Sequence, residues 1–280
     1  MTNQIVIITD YKGFFSSKQK SPLYRGGMDI PKLITIFRQY GFDVKVMQFP
    51  DIRIEEIVKN NPLVLYTSSE DLGDLYKSYI EDAVFHLQEA GVRVFPKFSY
   101  LRAHNNKVAM EFLRMRSDFR PIQTIQSYVF GTLEELEQNI QNCLFPVVIK
   151  TAEGAKSRGV AKADNPQELI KIVKDLSRAR HYRHDLKELL RKIKYGGTYV
   201  RESFYRKKFV VQNFIPNLNN DWKVLVYGHR CYVLFRGNRK NDFRASGSGK
   251  FEFRKDIPPG ILEIQIDRKS TRLNSSHTIQ

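Results

Sequence analysis

The sequence predicts a two-part protein, an α/β domain followed by an α+β domain. Through the first hundred residues, short apolar runs alternate with stretches of helical periodicity, the pattern of a small parallel sheet covered by helices. Beyond that the order becomes strand, helix, strand, loop, strand, helix and then a hairpin, which does not continue a parallel sheet. No apolar run approaches the ~20 residues that span a bilayer. The 280 residues hold about two domains of ~150 residues each, and 41% hydrophobic with 27% charged residues is the balance of a soluble globular chain. The start, MTNQIVIITD, has neither a basic n-region nor a cleavage site, so it reads as a first strand and the expected location is the cytoplasm.

Taken in order, Ile5 to Ile8 is a continuous apolar strand. Asp29 and Pro31 mark a helix start, Leu33, Ile34, Phe37 and Tyr40 share one face, and Gly41 stops it. Val44 to Met47 and Leu63 to Tyr66 are strands. Leu75, Tyr76, Tyr79, Ile80, Ala83, Val84 and Leu87 recur at helical spacing before Gly91 and a strand at Val92 to Phe95. The segment Asp10 to Met28 is long for a βα connection; such loops at strand C-termini are where ligands tend to bind, and Arg25, Gly26 and Gly27 could face a substrate, with a merely mobile loop the favoured alternative. No GxGxxG follows the first strand, which removes support for a dinucleotide fold. A basic connector from Lys97 to Lys107 leads to a short helix ending near Arg116. Gln123 to Val129 reads as a strand. Thr132 with Glu135, and Asn165 with Pro166 and Glu168, open two further helices.

Between these helices lies FPVVIKTAEGAKSRGV, Phe145 to Val160. Val147, Val148 and Ile149 form a buried β run that ends in Lys150, and a polar loop returns to a second strand at Gly159. A cation at a strand end beside a loop that lets the backbone approach a ligand, through Gly154 and Gly159, suits a polyphosphate. The amides and hydroxyls of Thr151 to Arg158, Ser157 among them, would line the phosphates, with Lys150, Lys156 and Arg158 supplying charge. The spacing is not that of a Walker loop, and a solvated basic hairpin is the alternative.

Ser177 to Lys208 is the most basic section. Leu186, Leu189, Leu190 and Ile193 define an amphipathic helix whose other face carries Lys187, Arg191, Lys192 and Lys194. It reads as a solvated helix face or as an anion or nucleic-acid surface. His181 and His184 lack the further ligands of a metal site and read as a surface pair. Phe209 to Pro216 is a strand running into a turn, Trp222 to Tyr227 and Cys231 to Phe235 form a hairpin, and Arg236 to Lys250 is a cationic, glycine-rich loop. Cys143 and Cys231 have no metal-spaced neighbours and read as buried small hydrophobes.

The last residues need separate treatment. Asp267 to His277, DRKSTRLNSSH, resembles the in-frame translation of a short-read sequencing adapter over 11 consecutive residues, so Asp267 to Gln280 is set aside as an artefact. The formal charge is +16; this tail contributes Arg268, Lys269 and Arg272 against Asp267, a net of +2, and +14 remains. Such a balance suits anionic partners: nucleotide, acidic substrate or nucleic acid.

A strand-end lysine with its glycine loop, a strand-to-turn hinge, and a hairpin followed by a basic loop, in that order, resemble the ATP-grasp superfamily. Within it they resemble the carboxylate-amine ligases of the ribosomal-protein glutamate ligase type. The resemblance covers about Tyr100 to Ile266. It implies a small α/β domain (1–103), an N-terminal ATP-grasp subdomain with the phosphate loop (104–211), and the start of a C-terminal subdomain (212–266). It assigns Lys107 and Lys150 to the nucleotide phosphates and the loop Thr151 to Gly159 to the flap over them. Gln212, Asn213, Phe214 and Ile215 match the hinge that reads the adenine edge, with Asn213 standing where the family usually has an acid. Asp221 and Lys223 align with an Asp-x-Arg pattern, and Phe243-Arg244-Ala245-Ser246 resembles Phe-Arg-Ser-Asn, which gives Arg244 the transferring phosphate. The implied reaction joins a carboxylate to an amine with ATP and Mg2+. The family's metal ligands belong to strands after Ile266, so the chain as it stands is expected to be an inactive fragment with an unpaired sheet edge, and no metal ligand is assigned. A basic nucleic-acid-binding protein and a non-catalytic ATP-binding module are the alternatives.

Overall fold

The computed structural model describes residues 3–15, 27–69, 71–117, 124–154, 159–227, 230–239, 243–244, 249–261 and 278–279. By internal contacts the chain divides into Met1–His104 and Asn105–Gln280.

In the first unit, Gln4–Thr9 forms β1, and Ile5 to Ile8 are almost wholly buried because both faces of the strand are covered. Ile5 and Ile7 pack with Leu33, Ile34 and Phe37 of α1 (Ile30–Gln39). Val6 and Ile8 belong to the opposite core, with Ile80, Val84 and Leu87 of α3 (Leu75–Glu89). β2 (Asp43–Gln48), β3 (Leu63–Leu65) and β4 (Arg93–Phe95) complete an all-parallel sheet in the order β2-β1-β3-β4. The start signal of α1 works as expected: the Asp29 carboxylate accepts from the Lys32 amide at 3.0 Å, and Gly41 takes φ 79° beyond its end.

Two helices here were not anticipated. α2 (Ile54–Asn60) is only seven residues long with one buried side chain, Ile57, too short to show a period. α4 (Phe98–Ala103) lies inside the stretch read as a basic connector. It brings Arg102 to Glu81, whose two oxygens accept from Lys77 Nζ and Arg102 Nη1, each at 2.5 Å. Lys77 is 1% exposed, and its ammonium is paired with Glu81 and, at 3.8 Å, with Asp74.

The second unit contains two antiparallel sheets. In one, β5 (Ser127–Phe130), β8 (Phe209–Asn213), β6 (Val147–Thr151) and β7 (Val160–Ala163) lie in the order β5-β8-β6-β7. One face, with Phe130, Val147, Ile149, Phe209 and Val211, packs on Leu133 and Leu136 of α6 (Leu133–Asn139) and Leu169 and Val173 of α7 (Pro166–Ser177). Both helices begin where expected. The Thr132 hydroxyl accepts from the Glu135 amide at 3.2 Å, and Asn165 Oδ1 accepts from the Glu168 amide at 2.9 Å. Cys143 joins this core, while Cys231 on the second sheet is half-buried, so burial holds for one cysteine and only partly for the other.

The second sheet runs β11-β10-β9-β12, from β9 (Asn220–Tyr227), β10 (Arg230–Gly237), β11 (Phe251–Glu252) and β12 (Thr278–Ile279). The expected hairpin is present. β9 is paired at Trp222 and Lys223 by Ile279 and Thr278, which lie in the segment set aside above. α5 (Lys107–Met115) precedes β5 at the head of the unit, and α8 (Tyr182–Tyr195), in the basic section, lies between β7 and β8 in sequence.

Candidate nucleotide site

The face of the β5-β8-β6-β7 sheet turned away from α6 and α7 carries the residues of interest. Strand alternation and pairing put Lys150 opposite Val210 and Gln212 opposite both Val148 and Ser127, all on one surface. Lys150 Nζ donates to Gln212 Oε1 at 2.7 Å, tying the strand-end lysine to the hinge strand 62 residues later. α5 covers part of this face: Val108 packs with Ala152 and Val210. Within and beside it, Arg114 donates to Glu111 Oε1 at 2.5 Å and to the Ser127 hydroxyl at 2.8 Å, and the Ser127 hydroxyl bonds Glu111 as well.

Lys107 opens α5 beside the loop that follows β6. Its amide donates to the Ala152 carbonyl at 2.8 Å and its ammonium to the Gly154 carbonyl at 2.9 Å. Asn105 Oδ1 accepts from the Gly154 amide at 3.4 Å, so both sides of Gly154 are held. The far end of the loop is closed by the Thr151 amide, which donates to the Gly159 carbonyl at 2.8 Å. Gly159 has φ 71°, and a Cβ there would overlap the Thr151 hydroxyl, so only glycine closes the turn in this form. Lys156 and Ser157, with Ala155 and Arg158, lie outside the described residues, as do Ala245 and Ser246.

The electrostatics fit a polyanion. Burial pulls Lys150 down to a pKa of about 8; Glu111 opposes this, while Lys107 and Arg114 push the same way as burial. Burial also lowers Lys107, with Glu153 partly offsetting it. An anion placed beside Lys150 would favour its charged form, which burial and the Lys107 and Arg114 charges oppose.

Past β8 the hinge turns toward a cavity of about 340 Å³ lined by Phe214, Ile215, Leu218, Asn238, Arg239 and Phe243, within the range of small-molecule sites. A smaller recess lined by Val148, Gln212, Asn213 and Phe214 continues it onto the sheet face that carries Lys150. The Phe214 and Phe243 rings meet edge-on at 5.8 Å, and Lys162 Nζ stands 4.9 Å above the Phe214 ring. The Asn213 amide donates to the Gln126 carbonyl and the Phe214 amide to the Pro146 carbonyl, both at 3.0 Å. Arg244 Nη1 donates to the Val160 carbonyl at 3.3 Å, which sets the residue after Phe243 against β7.

The structure thus joins Lys107, Lys150, Gly154, Gly159 and Gln212 through direct bonds or the loop they share, with Asn213, Phe214 and Ile215 at the adjoining cavity. Asp221 and Lys223 stand on one face of the β9-β10 hairpin. There Asp221, 3% exposed, is gripped by Arg236 through bonds of 2.6 and 2.7 Å. Arg236 was not singled out from the sequence, although hairpin register around positions 228 and 229 places it opposite Asp221. Glu111, Arg114 and Lys162 were missed as well; the i,i+3 spacing of the first two was visible, but their nearness to Lys150 is a tertiary fact. His184 bonds Glu202 at 3.0 Å.

No protein-family model matches the sequence, and no curated protein matches it. Among solved structures, the chain is similar to a RimK domain protein ATP-grasp from Sphaerobacter thermophilus, at 13% identity, covering 98% of this chain and 83% of the other with a TM-score of 0.44. It is also similar to the D-cycloserine synthetase DcsG, at 10% identity over 94% and 78% with a TM-score of 0.48. A third is D-alanine--D-alanine ligase from Bacillus anthracis complexed with ATP, at 13% identity over 97% and 76% with a TM-score of 0.45. At such identities and scores, the residues of this chain carry the functional reading.

Proposed function

We propose that the chain is an ATP-grasp ligase of the carboxylate-amine class, with the sheet face around Lys150 as its phosphate site and the Phe214–Phe243 cavity as its base site. The observation that carries this is the pairing of two lysines distant in sequence: Lys107 holds the glycine loop at Gly154, and Lys150 holds the hinge at Gln212. A polyphosphate beside Gln212 would meet both cations and the loop amides. A purine stacked near Phe214 would need one donor and one acceptor. Because the Asn213 and Phe214 amides already serve the fold, the donor would come from elsewhere in the turn.

In the proposed reaction a substrate carboxylate oxygen attacks the γ-phosphorus, the bond to the β,γ-bridging oxygen breaks, and ADP leaves. The amine nitrogen then attacks the acyl carbon, phosphate departs, and the nitrogen loses its proton. No protein nucleophile is required, because cations placed where charge develops do most of the work. Lys107 and Lys150 are assigned to the polyphosphate and Arg244 to the transferring group. Among the described residues no three His, Cys, Asp or Glu side chains form a metal-holding group.

Removing Lys150 separates this reading from nonspecific attraction. Lys150→Ala is expected to weaken ATP binding by about 10- to 100-fold, the loss of one charge-assisted contact, while Lys187→Ala on α8 leaves it unchanged. Titration calorimetry measures both, and equal losses would sink the proposal. ADP release that depends on an added acid and amine would establish the ligase, whereas ATP binding without turnover would favour a nucleotide-binding module.

A further inference from the structure

α8 is amphipathic, yet it faces the protein with its polar side. Asp185 and Glu188 are its buried residues. Asp185 pairs with Arg178 at 3.0 Å, and Glu188, 1% exposed, accepts from the Tyr199 hydroxyl, the Arg191 guanidinium at 2.8 Å and the Glu202 amide at 3.0 Å. The Tyr199 hydroxyl, then the Glu202 amide and Arg191, hold the Glu188 carboxyl down at about 2. The apolar side points to solvent: Tyr182 is 79% exposed, Leu186 57%, Leu189 46%, Leu190 56% and Ile193 79%. At 100° per residue these five fall on one stripe, and Arg183, Lys187 and Lys194 border it on one side. A helix that serves only the fold buries its leucines, so this one is turned for an outside partner.

The charge chooses the partner. Both acids of α8 are turned inward and paired, which leaves its exposed charges positive. Packing α8 on a second copy would bring cationic borders together, and a nucleic acid offers nothing to the leucines. An apolar stripe with a basic border, on a helix of low overall hydrophobicity, matches the boundary between acyl chains and anionic headgroups, where lysine stems lie along the apolar layer and their ammonium groups reach the headgroups.

We propose that α8 is an interfacial helix that seats this protein on an anionic lipid surface. This is distinct from spanning: no helix among the described residues is long and apolar enough to cross a membrane. The proposal does not depend on the ligase reading.

The test is sedimentation of the full chain with vesicles of pure phosphatidylcholine, and with vesicles carrying about one third phosphatidylserine. The expected result is pelleting with the anionic vesicles only. Leu186→Asp with Ile193→Asp should weaken it by about tenfold or more, and Lys187→Glu with Lys194→Glu should abolish the preference for phosphatidylserine. If the double aspartate variant misfolds by circular dichroism, Ile193→Trp keeps the proposal testable through a blue shift of tryptophan fluorescence, above the Trp222 background, on adding anionic vesicles. The proposal is overturned by a wild-type chain that stays in the supernatant, by equal pelleting with neutral vesicles, or by variants that bind like wild type. A concentration-dependent dimer broken by Leu186→Asp, or oligonucleotide binding lost in Lys187→Glu with Lys194→Glu from a chain that does not pellet with vesicles, would overturn the proposal in favour of those partners.

Discussion

Burial holds the Lys150 ammonium at a pKa of about 8, below the 10.5 of an ordinary lysine, and this has two pH consequences. Between those values the unfolded chain binds a proton that the folded chain does not, so this residue's contribution to stability rises with pH across the window. The burial penalty is complete below about 8 and gone above 10.5. In the proposed function phosphate binding would run the other way, because a neutral Lys150 would have to take up a proton to meet an anion. ATP affinity is therefore expected to fall as pH rises above about 8, by up to roughly tenfold per pH unit. Calorimetry on wild type and Lys150→Met checks it: the slope should be absent from the variant. The same burial explains why Lys150 was legible as a cation at a strand end, while its altered acidity was not. Glu111, Lys107 and Arg114 surround it only after α5 folds onto the sheet.

At the level of elements, the hairpin β9-β10 shows what register adds to sequence. The sequence shows two alternating runs around a two-residue turn, and the family resemblance aligns Asp221 with an Asp-x-Arg pattern. Pairing then sets Asp221 against Arg236 in a buried, two-bonded contact. Asp221→Ala is expected to destabilise the protein by about 1–3 kcal/mol, since it removes two charge-assisted bonds to the part-buried Arg236 guanidinium. Replacing Asp221 and Arg236 together by leucine should cost much less. Chemical denaturation measures both, and ATP titration of the folded variants shows whether Asp221 touches nucleotide in addition. Element starts were readable at the capping side chains Asp29, Thr132 and Asn165, while the Asn106 cap of α5 was passed over. The short helix α2 and the helix α4 carried no comparable signal. Their existence depends on Ile57 and Leu101 finding the core of the first unit.

At the scale of the whole molecule, the formal charge of +16 acts on association before any contact forms. A polyanionic nucleotide should be drawn in faster at low salt, so its association rate is expected to fall by about tenfold as ionic strength rises from about 0.01 M to 1 M, while that of adenosine stays flat. Stopped-flow fluorescence with a labelled nucleotide provides the measurement. A flat response for both would mean that the exposed cations do not act as a common field. α8 concentrates part of that field beside an exposed apolar stripe.

By itself the sequence determined the chemistry of the elements: the buried run Ile5 to Ile8, the capped helices, the loop after Lys150 with its two glycines, and the hinge strand at Gln212. These follow from local rules, since periodicity, capping and turn residues act over a few positions. Tertiary structure alone decided which of those pieces meet. Lys107 reaches Gly154 across 47 positions and Lys150 reaches Gln212 across 62, which ties the loop after β6 and the hinge after β8 to one sheet face. It also decided which way α8 turns. The same heptad of leucines and lysines reads as core or as surface until Glu188 finds Tyr199 and the Glu202 amide, and those bonds point the leucines outward. Long-range pairing of this kind depends on how separate segments pack, and no local pattern encodes it.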